Sequence, residues 1–383
     1  MFTILEKFVS LRFDPTRPLH MLMAQLPAKL IYHDFKFLHA DPKQAERMVL
    51  TILEMVAEGQ EGLDELDFVI LPEAAVPMRS LTQVLDIIAE RFRPNTVTCF
   101  GLEHISLKEY AELLNTYQDD NPEAHQVMVD YASRNDGRKP VNCGVIAVKD
   151  DEDRLRCFLV AKTHPFAGEE FFDESRDLYR GRHFYFFRSS LTPFNFMPLI
   201  CLDYIFRDLT TSNIQQIIER ANELYFLSRQ QLDLLVVIQN NPKPEHRAFW
   251  QVVNGFYGEY LACTPGVRNT VTCFCNTSAE SDLPELKEPG VFGASSVIMS
   301  HHHKIKKLTL GEFSIDSFHD APVNRLRFGD GTRLFHVSIA PSHEPDPRTS
   351  RVPMKVLGIF KPSKGNGWEK LSLEDVMHGQ MDG

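Results

Sequence analysis

The chain alternates between near-continuous apolar runs and amphipathic stretches with a helical period. The runs at residues 66–71 and 232–238 are typical of strands buried on both faces. Apolar stripes at residues 45–56, 81–92 and 214–225 predict helices with one buried face. Asp41-Pro42-Lys43-Gln44 predicts the start of the first helix, with an N-cap, a proline at the first helical position and a capping-box residue. This alternation predicts an α/β fold, with a mixed sheet and helices on one or both faces.

Shorter apolar segments predict the rest of the fold. Residues 141–148 and 155–161 flank the charged stretch 149–153, which predicts a hairpin with a charged turn. The polar, weakly periodic region 109–140 predicts an inserted helix and loop. A further helix is predicted at 249–257, and further strands at 19–25, 96–102, 184–187, 197–201, 260–264, 270–274 and 294–300.

Three of the apolar runs are followed by a reactive side chain, namely Glu73, Lys162 and Cys201. Taken singly, each has an ordinary structural interpretation: a loop carboxylate, a lysine that reaches solvent and a buried thiol. Together they supply a base, a cation and a nucleophile, which are the groups that acyl transfer through a thioester requires. Because side chains at strand ends converge in α/β enzymes, we expect the three to share one crevice.

Composition narrows the class of protein. The 383 residues are 43% hydrophobic and 24% charged, as in ordinary globular proteins. An excess of acidic over basic residues, 52 against 41, gives a net charge of −11 and argues against nucleic-acid binding. No apolar run reaches the roughly 20 residues of a membrane span, and the N-terminus lacks a signal-peptide layout. Seven irregularly spaced cysteines favour free thiols, and the prediction is a cytoplasmic protein without membrane contact.

Other candidate sites have simpler explanations. Residues 301–303 are three consecutive histidines, but neighbours on a strand point to opposite faces and no carboxylate or thiol cluster completes a metal site. Cys273 and Cys275 would share a strand face and pack in the core. His164 could pair with Cys201 as in Cys-His hydrolases, although a structural role at a strand end is preferred. Asp203 is expected to fix the turn after Cys201.

In their order and spacing, these motifs resemble the nitrilase, or carbon–nitrogen hydrolase, superfamily over about residues 19–300. The resemblance rests on Leu71-Pro72-Glu73, on Lys162-Thr163-His164 before a pair of glutamates, and on Ile200-Cys201-Leu202-Asp203. The stretches that resemble the family's hairpin, pre-strand loop and late Gly-x-Ser strand lie at residues 142–148, 174–181 and 292–296.

The resemblance implies an α-β-β-α sandwich that pairs into larger layered dimers. It implies a thiol-dependent hydrolase of a non-peptide C–N bond, with an amide preferred over a nitrile as the small-molecule substrate. Cys201 would be the nucleophile, Glu73 the general base and Lys162 the oxyanion stabiliser, with Glu170 preferred over Glu169 as auxiliary carboxylate. No metal or organic cofactor is implied.

Three more residues are expected near the substrate. Asp203 follows the nucleophile, while Asn240 and His246 follow the buried strand 232–238. We therefore predict these three side chains as substrate-binding residues. The predicted domain organisation is an N-terminal arm at 1–18, a nitrilase-like domain at 19–303 and a C-terminal extension at 304–383, where proline and glycine become more frequent.

The chain also departs from the family's pattern. The usual arginine before the lysine, the aromatic residue after the cysteine and the family's helix motif are replaced, at Ala161, Leu202 and residues 249–260. Two alternatives therefore stay open. One is a nitrilase-like scaffold that acts as a binding or regulatory partner, with residues 304–383 as its interaction surface. The other is an acyltransferase that uses the same cysteine with an amine as acceptor.

Overall fold

The structure is a computed structural model, and the ranges that it describes cover most of the chain. The predicted histidine run at 301–303, the loop residues 174–175 and the strand residues 261–263 lie outside those ranges. The described residues are 2–14, 17–132, 137–170, 176–208, 212–260, 264–284, 290–300, 307–317, 323–340, 354–365 and 367–378.

Strands alternate with helices through the first three quarters of the chain, and the C-terminal quarter is mostly strands. The strands are β1 (Thr3–Val9), β2 (Leu19–Gln25), β3 (Leu30–His33), β4 (Lys36–His39), β5 (Phe68–Ile70), β6 (Thr96–Gly101), β7 (Ile105–Ser106), β8 (Pro140–Val141), β9 (Cys143–Lys149), β10 (Leu155–Ala161), β11 (His183–Ser189), β12 (Asn195–Ile200), β13 (Leu234–Ile238), β14 (Val271–Cys275), β15 (Ser296–Ser300), β16 (Leu308–Thr309), β17 (Phe313–Ser317), β18 (Val323–Phe328), β19 (Arg333–Ile339), β20 (Met354–Pro362) and β21 (Trp368–Lys370). The α-helices are α1 (Pro42–Ala57), α2 (Leu81–Arg91), α3 (Leu107–Thr116), α4 (Pro122–Ala132), α5 (Leu202–Ile205), α6 (Asn213–Ser228), α7 (Arg247–Gly255) and α8 (Leu373–His378).

Two large sheets organise the described residues. The nine-stranded sheet has the order β1-β11-β12-β13-β14-β15-β18-β17-β16, and the eight-stranded sheet has the order β10-β9-β6-β5-β2-β19-β20-β21. Within them, β12, β13 and β14 run parallel, as do β2, β5 and β6, which brings the carboxyl ends of these strands to common edges. The hairpin β3-β4 and the two-stranded sheet β7-β8, whose strands flank α3 and α4, lie outside the large sheets.

The two sheets face each other across an apolar core. Phe68 and Met21 of the eight-stranded sheet belong to the same buried cluster as Phe196 and Val236 of the nine-stranded sheet. Because side chains alternate between the faces of a strand, the neighbouring residues point outward to the helices. Val69 of the eight-stranded sheet thus packs in the same cluster as residues of helices α1 and α2.

The outer face of the nine-stranded sheet is covered in the same way, by residues of α6 and α7 that pack with residues of β13 such as Val237. Helices thus lie on the outer face of each sheet, and the mixed α/β class predicted from the sequence is confirmed. No helix among the described residues is long and apolar enough to cross a membrane.

Several local predictions are confirmed. Helix α1 begins at Pro42, and the Asp41 side chain accepts hydrogen bonds from the N–H groups of Lys43 and Gln44. Strands β9 and β10 form the predicted antiparallel hairpin, with Cys143 opposite Ala161. The stripe at 214–225 lies within helix α6.

One local prediction is wrong. Residues 109–140 hold two helices, α3 and α4, and α3 begins with a capping box between Ser106 and Glu109 that the polar pattern concealed. The predicted strand 260–264 lies mostly outside the described residues, and the chain is helical over Phe256–Tyr260. This turn buries Tyr257, whose hydroxyl donates to the Ile298 carbonyl oxygen at 3.0 Å.

Strands beyond residue 304 belong to both sheets. Strands β16 to β18 extend the nine-stranded sheet from β15, and β19 to β21 extend the eight-stranded sheet from β2. Strand β19 pairs with β2 over seven residues, from Arg333 opposite Gln25 to Ile339 opposite Leu19. The C-terminal segment therefore contributes hydrogen-bonded strands to the same two sheets as residues 19–303.

Candidate active site

Strand ends from both sheets meet at one cavity of about 500 Å³. The eight-stranded sheet contributes Lys162, directly after β10, and Glu73, three residues after β5. The nine-stranded sheet contributes Cys201, directly after β12, and Asn240, two residues after β13. All four residues line the cavity, so the predicted convergence of Glu73, Lys162 and Cys201 occurs where the ends of the two sheets meet.

Lys162 lies between two carboxylates. Its ammonium donates to Glu73 Oε1 and to Glu169 Oε2, each at 2.9 Å, and all three side chains are buried. Burial by itself lowers the pKa of Lys162, but the charges of Glu169 and Glu73 outweigh burial and hold that pKa well above its usual value. The ammonium therefore keeps its positive charge at neutral pH.

The carboxylate of Glu73 is held by three donors. Oε1 accepts from Lys162 and, at 2.7 Å, from Asn142 Nδ2, while Oε2 accepts the backbone N–H of Asn240 at 2.7 Å. Its backbone lies against β6, where a Cβ at Gly101 would come within 2.7 Å of the Glu73 Cα. Packing and hydrogen bonds thus fix this side chain beside Cys201.

The carboxylate beside Lys162 is Glu169, which corrects the preference for Glu170. Residues Ala167–Glu169 form a short 3₁₀ turn that directs Glu169 inward. Its carboxylate accepts from Lys162 and from the Phe166 N–H at 3.0 Å. Glu170, the next residue, points out of the site and forms an ion pair with Arg180 at 2.5 Å.

The charge state of Glu169 is fixed by its neighbours. Burial by itself raises the pKa of this carboxyl, but the charge of Lys162 and hydrogen bonds from His104 and Asn142 outweigh burial. The pKa of Glu169 is consequently held well below its usual value. Glu169 and Lys162 therefore form a permanently charged buried pair.

Cys201 has a backbone conformation that is unusual for any residue but glycine. It has φ 46° and ψ −106° at the junction between β12 and α5. A non-glycine residue at such a conformation is strained, and strain of this kind clusters at functional sites. The turn directs the side chain to the cavity, and the Leu202 N–H, first in α5, has no intrahelical acceptor.

The thiol of Cys201 is protonated at neutral pH. Burial and the nearby Glu73 carboxylate raise its pKa well above the usual value, against the opposing effect of Lys162. A hydrogen bond to Glu73 contributes to this shift. The thiol therefore needs a base to become a nucleophile, and the carboxylate of Glu73 is its hydrogen-bond acceptor.

Asn142 is a site residue that the sequence-based predictions did not include. Its side-chain nitrogen donates to Glu73 Oε1 at 2.7 Å and to Glu169 Oε1 at 2.8 Å, and so joins the two carboxylates. The hairpin register would have revealed it: Cys143 lies opposite Ala161, which places Asn142 beside Lys162. Among the described residues, the Asn142 Oδ1 atom is buried without a hydrogen-bond partner.

His104 is a second residue that the sequence did not indicate. Its Nε2 lies 3.1 Å from Glu169 Oε1, and the side chain is buried in the cavity wall. It follows β6 by three residues, so it belongs to the same set of strand ends as Glu73. The position of His104 shortly after a predicted strand was the indication in the sequence, although no motif marked the residue.

Asp203 is buried and does not line the cavity. Its buried carboxylate accepts from the N–H and hydroxyl of Thr163 at 3.1 and 2.7 Å, and from the His164 N–H at 2.9 Å. Asp203 thus connects the turn after Cys201 to the strand end after Lys162, in place of the predicted substrate contact.

The other predicted residues occupy different positions. His164 stacks on Phe206 with ring centroids 3.6 Å apart, away from the cavity lining. Asn240 lines the cavity, but its Oδ1 accepts from Thr277 Oγ1 at 2.9 Å, and its backbone holds Glu73. His246 is exposed at the cavity mouth and caps α7 by accepting the Ala248 N–H at 3.2 Å.

The arrangement combines a protonated thiol, a fixed carboxylate and a charged ammonium in one partly closed cavity. Among the described residues, no group of three or more His, Cys, Asp or Glu side chains is arranged to hold a metal ion. Comparison of the sequence with protein-family models and with curated proteins finds no match.

Proposed function

We propose that this protein is a carbon–nitrogen hydrolase of the nitrilase type that cleaves an amide through a Cys201 thioester. The observation that carries the proposal is the buried Glu73–Lys162–Glu169 cluster beside the strained Cys201 turn. A structural role alone gives no reason to combine two buried carboxylates, a buried ammonium and a strained thiol at an open cavity.

The reaction begins when Glu73 takes the thiol proton as Cys201 Sγ attacks the amide carbon. The carbonyl oxygen becomes an oxyanion, which Lys162 and the Leu202 N–H stabilise. The C–N bond then breaks, and the amine leaves with the proton that Glu73 returns. Glu73 next takes a proton from water, the hydroxide attacks the thioester, and the carboxylic acid departs as the thiol regains its proton.

The electrostatics support these roles. The high pKa of the Cys201 thiol makes proton removal a requirement, and the Glu73 carboxylate is the acceptor that faces it. Glu169 holds Lys162 through a second carboxylate contact, so the ammonium stays charged while Glu73 changes protonation state. Glu169 is therefore a positioning residue that acts through Lys162.

The fold supports the same proposal. The helices outside two facing sheets support the α-β-β-α sandwich that the nitrilase resemblance implies. The reactive residues come from the ends of both central sheets, which fits a site built between them. Assembly into a larger layered dimer and a cytoplasmic location belong to the same proposal.

The test measures ammonia release from a panel of amides by the purified protein and by Cys201→Ala and Cys201→Ser variants. Both variants should lose at least about 10³-fold in rate, because the nucleophile is essential. Cys157→Ala, which removes a buried thiol far from the cavity, is the matched control and should retain activity. Undiminished ammonia release by Cys201→Ala would refute the proposal.

A second measurement identifies the intermediate and the acceptor. Rapid acid quenching followed by mass spectrometry should find the acyl group on the peptide that contains Cys201. Product masses with and without an added amine distinguish hydrolysis from acyl transfer. A nitrile panel run in parallel identifies the C–N bond that is cleaved.

A further inference from the structure

The wall of the cavity around Cys201 is largely apolar. Its apolar side chains come from separate elements, namely the β3-β4 hairpin, the loop after β10, helices α5 and α7, and the segment after β14. Six that define the wall are Leu30, Phe37, Phe166, Ile205, Phe249 and Leu283. A wall assembled from so many elements is typical of a formed ligand pocket.

The charges inside the cavity are already engaged with one another. Lys162 is shared by Glu73 and Glu169, and with a protonated thiol the three charged side chains carry a net charge of −1. Among the described residues that line the cavity there is no arginine, and the cationic side chains Lys243 and His246 lie at its exposed mouth. An anionic group that entered would meet apolar surface and negative charge.

Two buried polar atoms of cavity-lining residues, Asn142 Oδ1 and His104 Nδ1, have no hydrogen-bond partner among the described residues. Asn142 Nδ2 is bound by two carboxylates, which fixes the orientation of the amide and leaves Oδ1 as an acceptor. That oxygen is buried and has no partner among the described residues. Neither atom is accessible to solvent, so the surface that a substrate meets in this cavity is mainly the apolar wall.

We infer that the substrate is an amide with an uncharged, apolar acyl chain, which lies against the wall formed by Phe37, Phe166 and Ile205. This inference rests on the proposed function and specifies its substrate class. Each methylene that is buried against apolar surface adds favourable free energy, whereas a terminal charge that is buried against the same wall would lose its hydration.

The first experiment compares kcat/KM for acetamide, butyramide and hexanamide with the full-length protein. Each methylene that enters the cavity should raise kcat/KM roughly fourfold, so hexanamide should exceed acetamide by about two orders of magnitude. Two chain-matched analogues, adipamic acid with a terminal carboxylate and 6-aminohexanamide with a terminal ammonium, should each react at least tenfold more slowly than hexanamide. A flat chain-length series, or a charged analogue as good as hexanamide, would overturn the inference.

A variant tests the wall directly. Ile205→Lys places a cation in the apolar wall and should raise the ratio of kcat/KM for adipamic acid over hexanamide at least tenfold. Leu191→Lys makes the same substitution at an exposed position outside the cavity lining and should leave the ratio unchanged. An Ile205→Lys protein that folds and keeps the wild-type ratio would contradict the assignment of the wall.

A binding readout separates this inference from the proposed function. Mass spectrometry measures the alkylation rate of Cys201 by N-hexyl iodoacetamide and by iodoacetate, which needs no turnover. Faster labelling by the hexyl reagent without hydrolysis of any amide would retain the apolar pocket and refute the proposed reaction. Amide hydrolysis together with faster labelling by iodoacetate would retain the reaction and refute the substrate class.

Discussion

The Lys162 ammonium lies 2.9 Å from the Glu169 carboxylate, and both side chains are buried at the floor of the cavity. The adjacent Glu170 has the same chemistry but points outward to Arg180. The two glutamates therefore form a natural matched pair, because one substitution changes the buried cluster and the other changes the surface. The contrast tests how Lys162 is positioned.

Glu169→Gln should lower the free energy of unfolding by about 3 kcal/mol, because it removes one partner of a buried ion pair. It should also lower kcat more than it raises KM, since Lys162 loses one of its two anchors. Glu170→Gln should change stability by less than about 1 kcal/mol, as expected for an exposed pair. Denaturant titration and steady-state kinetics check both variants, and equal effects at the two positions would contradict the assignment.

The thiol pKa should respond in opposite directions to two substitutions. The Glu73 charge raises the Cys201 pKa and the Lys162 charge lowers it. Glu73→Gln should therefore shift the pH at half-maximal alkylation of Cys201 downward, and Lys162→Met should shift it upward. Both substitutions should abolish turnover. The Glu73→Gln protein should therefore have a more reactive Cys201 thiol but no amide hydrolysis. The pH dependence of iodoacetamide labelling, read by mass spectrometry, measures the shifts.

If the pKa of the Cys201 thiol shifts in the same direction in both variants, or in neither, these two side chains do not control that pKa. Labelling of Cys143 in the same samples is an internal control, because burial raises the pKa of that thiol and it lies in the core.

Gly101→Ala should displace Glu73. A Cβ at residue 101 would lie 2.6 Å from the Ala74 nitrogen and 2.7 Å from the Glu73 Cα, so the backbone that carries the base has to move. We expect kcat to fall at least tenfold, with a loss of 1–3 kcal/mol in stability, as for other overpacked sites. Gly365→Ala, where the nearest atom is 3.9 Å away, should change neither quantity and serves as the control. Unchanged kcat in a folded Gly101→Ala protein would disprove this dependence.

Acid should destabilise the protein through His336 on β19. Burial lowers its pKa to about 4, with further contributions from His20 and Lys370. The folded protein therefore favours the neutral imidazole, while the unfolded chain binds a proton near pH 6.5. The contribution of neutral His336 to the free energy of unfolding is at most about 3 kcal/mol. It is complete above about pH 6.5 and is lost as pH falls toward 4.

His336→Leu should consequently flatten the loss of stability between pH 6.5 and 4, measured by denaturant unfolding at several pH values. His33→Leu replaces an exposed histidine and is the matched control. If the stability of wild type and of His336→Leu depends on pH in the same way, His336 does not cause the loss of stability in acid.

Much of the local structure was predictable, because its causes lie within a few residues. Asp41 caps α1 with its own side chain, and the charged turn after β9 sets the hairpin. The same register places Asn142 beside Lys162, so even this residue was within reach of the sequence. The second helix in 109–140, α4, was missed, because it lies in a polar segment with little periodicity.

The pairing of the C-terminal strands could not be predicted from local sequence patterns. Their change in composition suggested an extension, yet β19 lies between β2 and β20 in the eight-stranded sheet. Its partner β2 is separated from it by more than 300 positions, and no local pattern encodes such a pairing. The domain boundary at residue 304 stays a prediction.

The sequence by itself determined the reactive groups and the strand ends that deliver Glu73, Lys162 and Cys201, because apolar runs and the residues after them are local features. Only the tertiary structure decided which glutamate meets Lys162, since Glu169 and Glu170 differ only in the direction that the 3₁₀ turn gives them. It also decided the protonation of Cys201, because burial and the Glu73 charge come from segments distant in sequence. Both depend on long-range packing of two sheets, which fixes distances that no local pattern encodes.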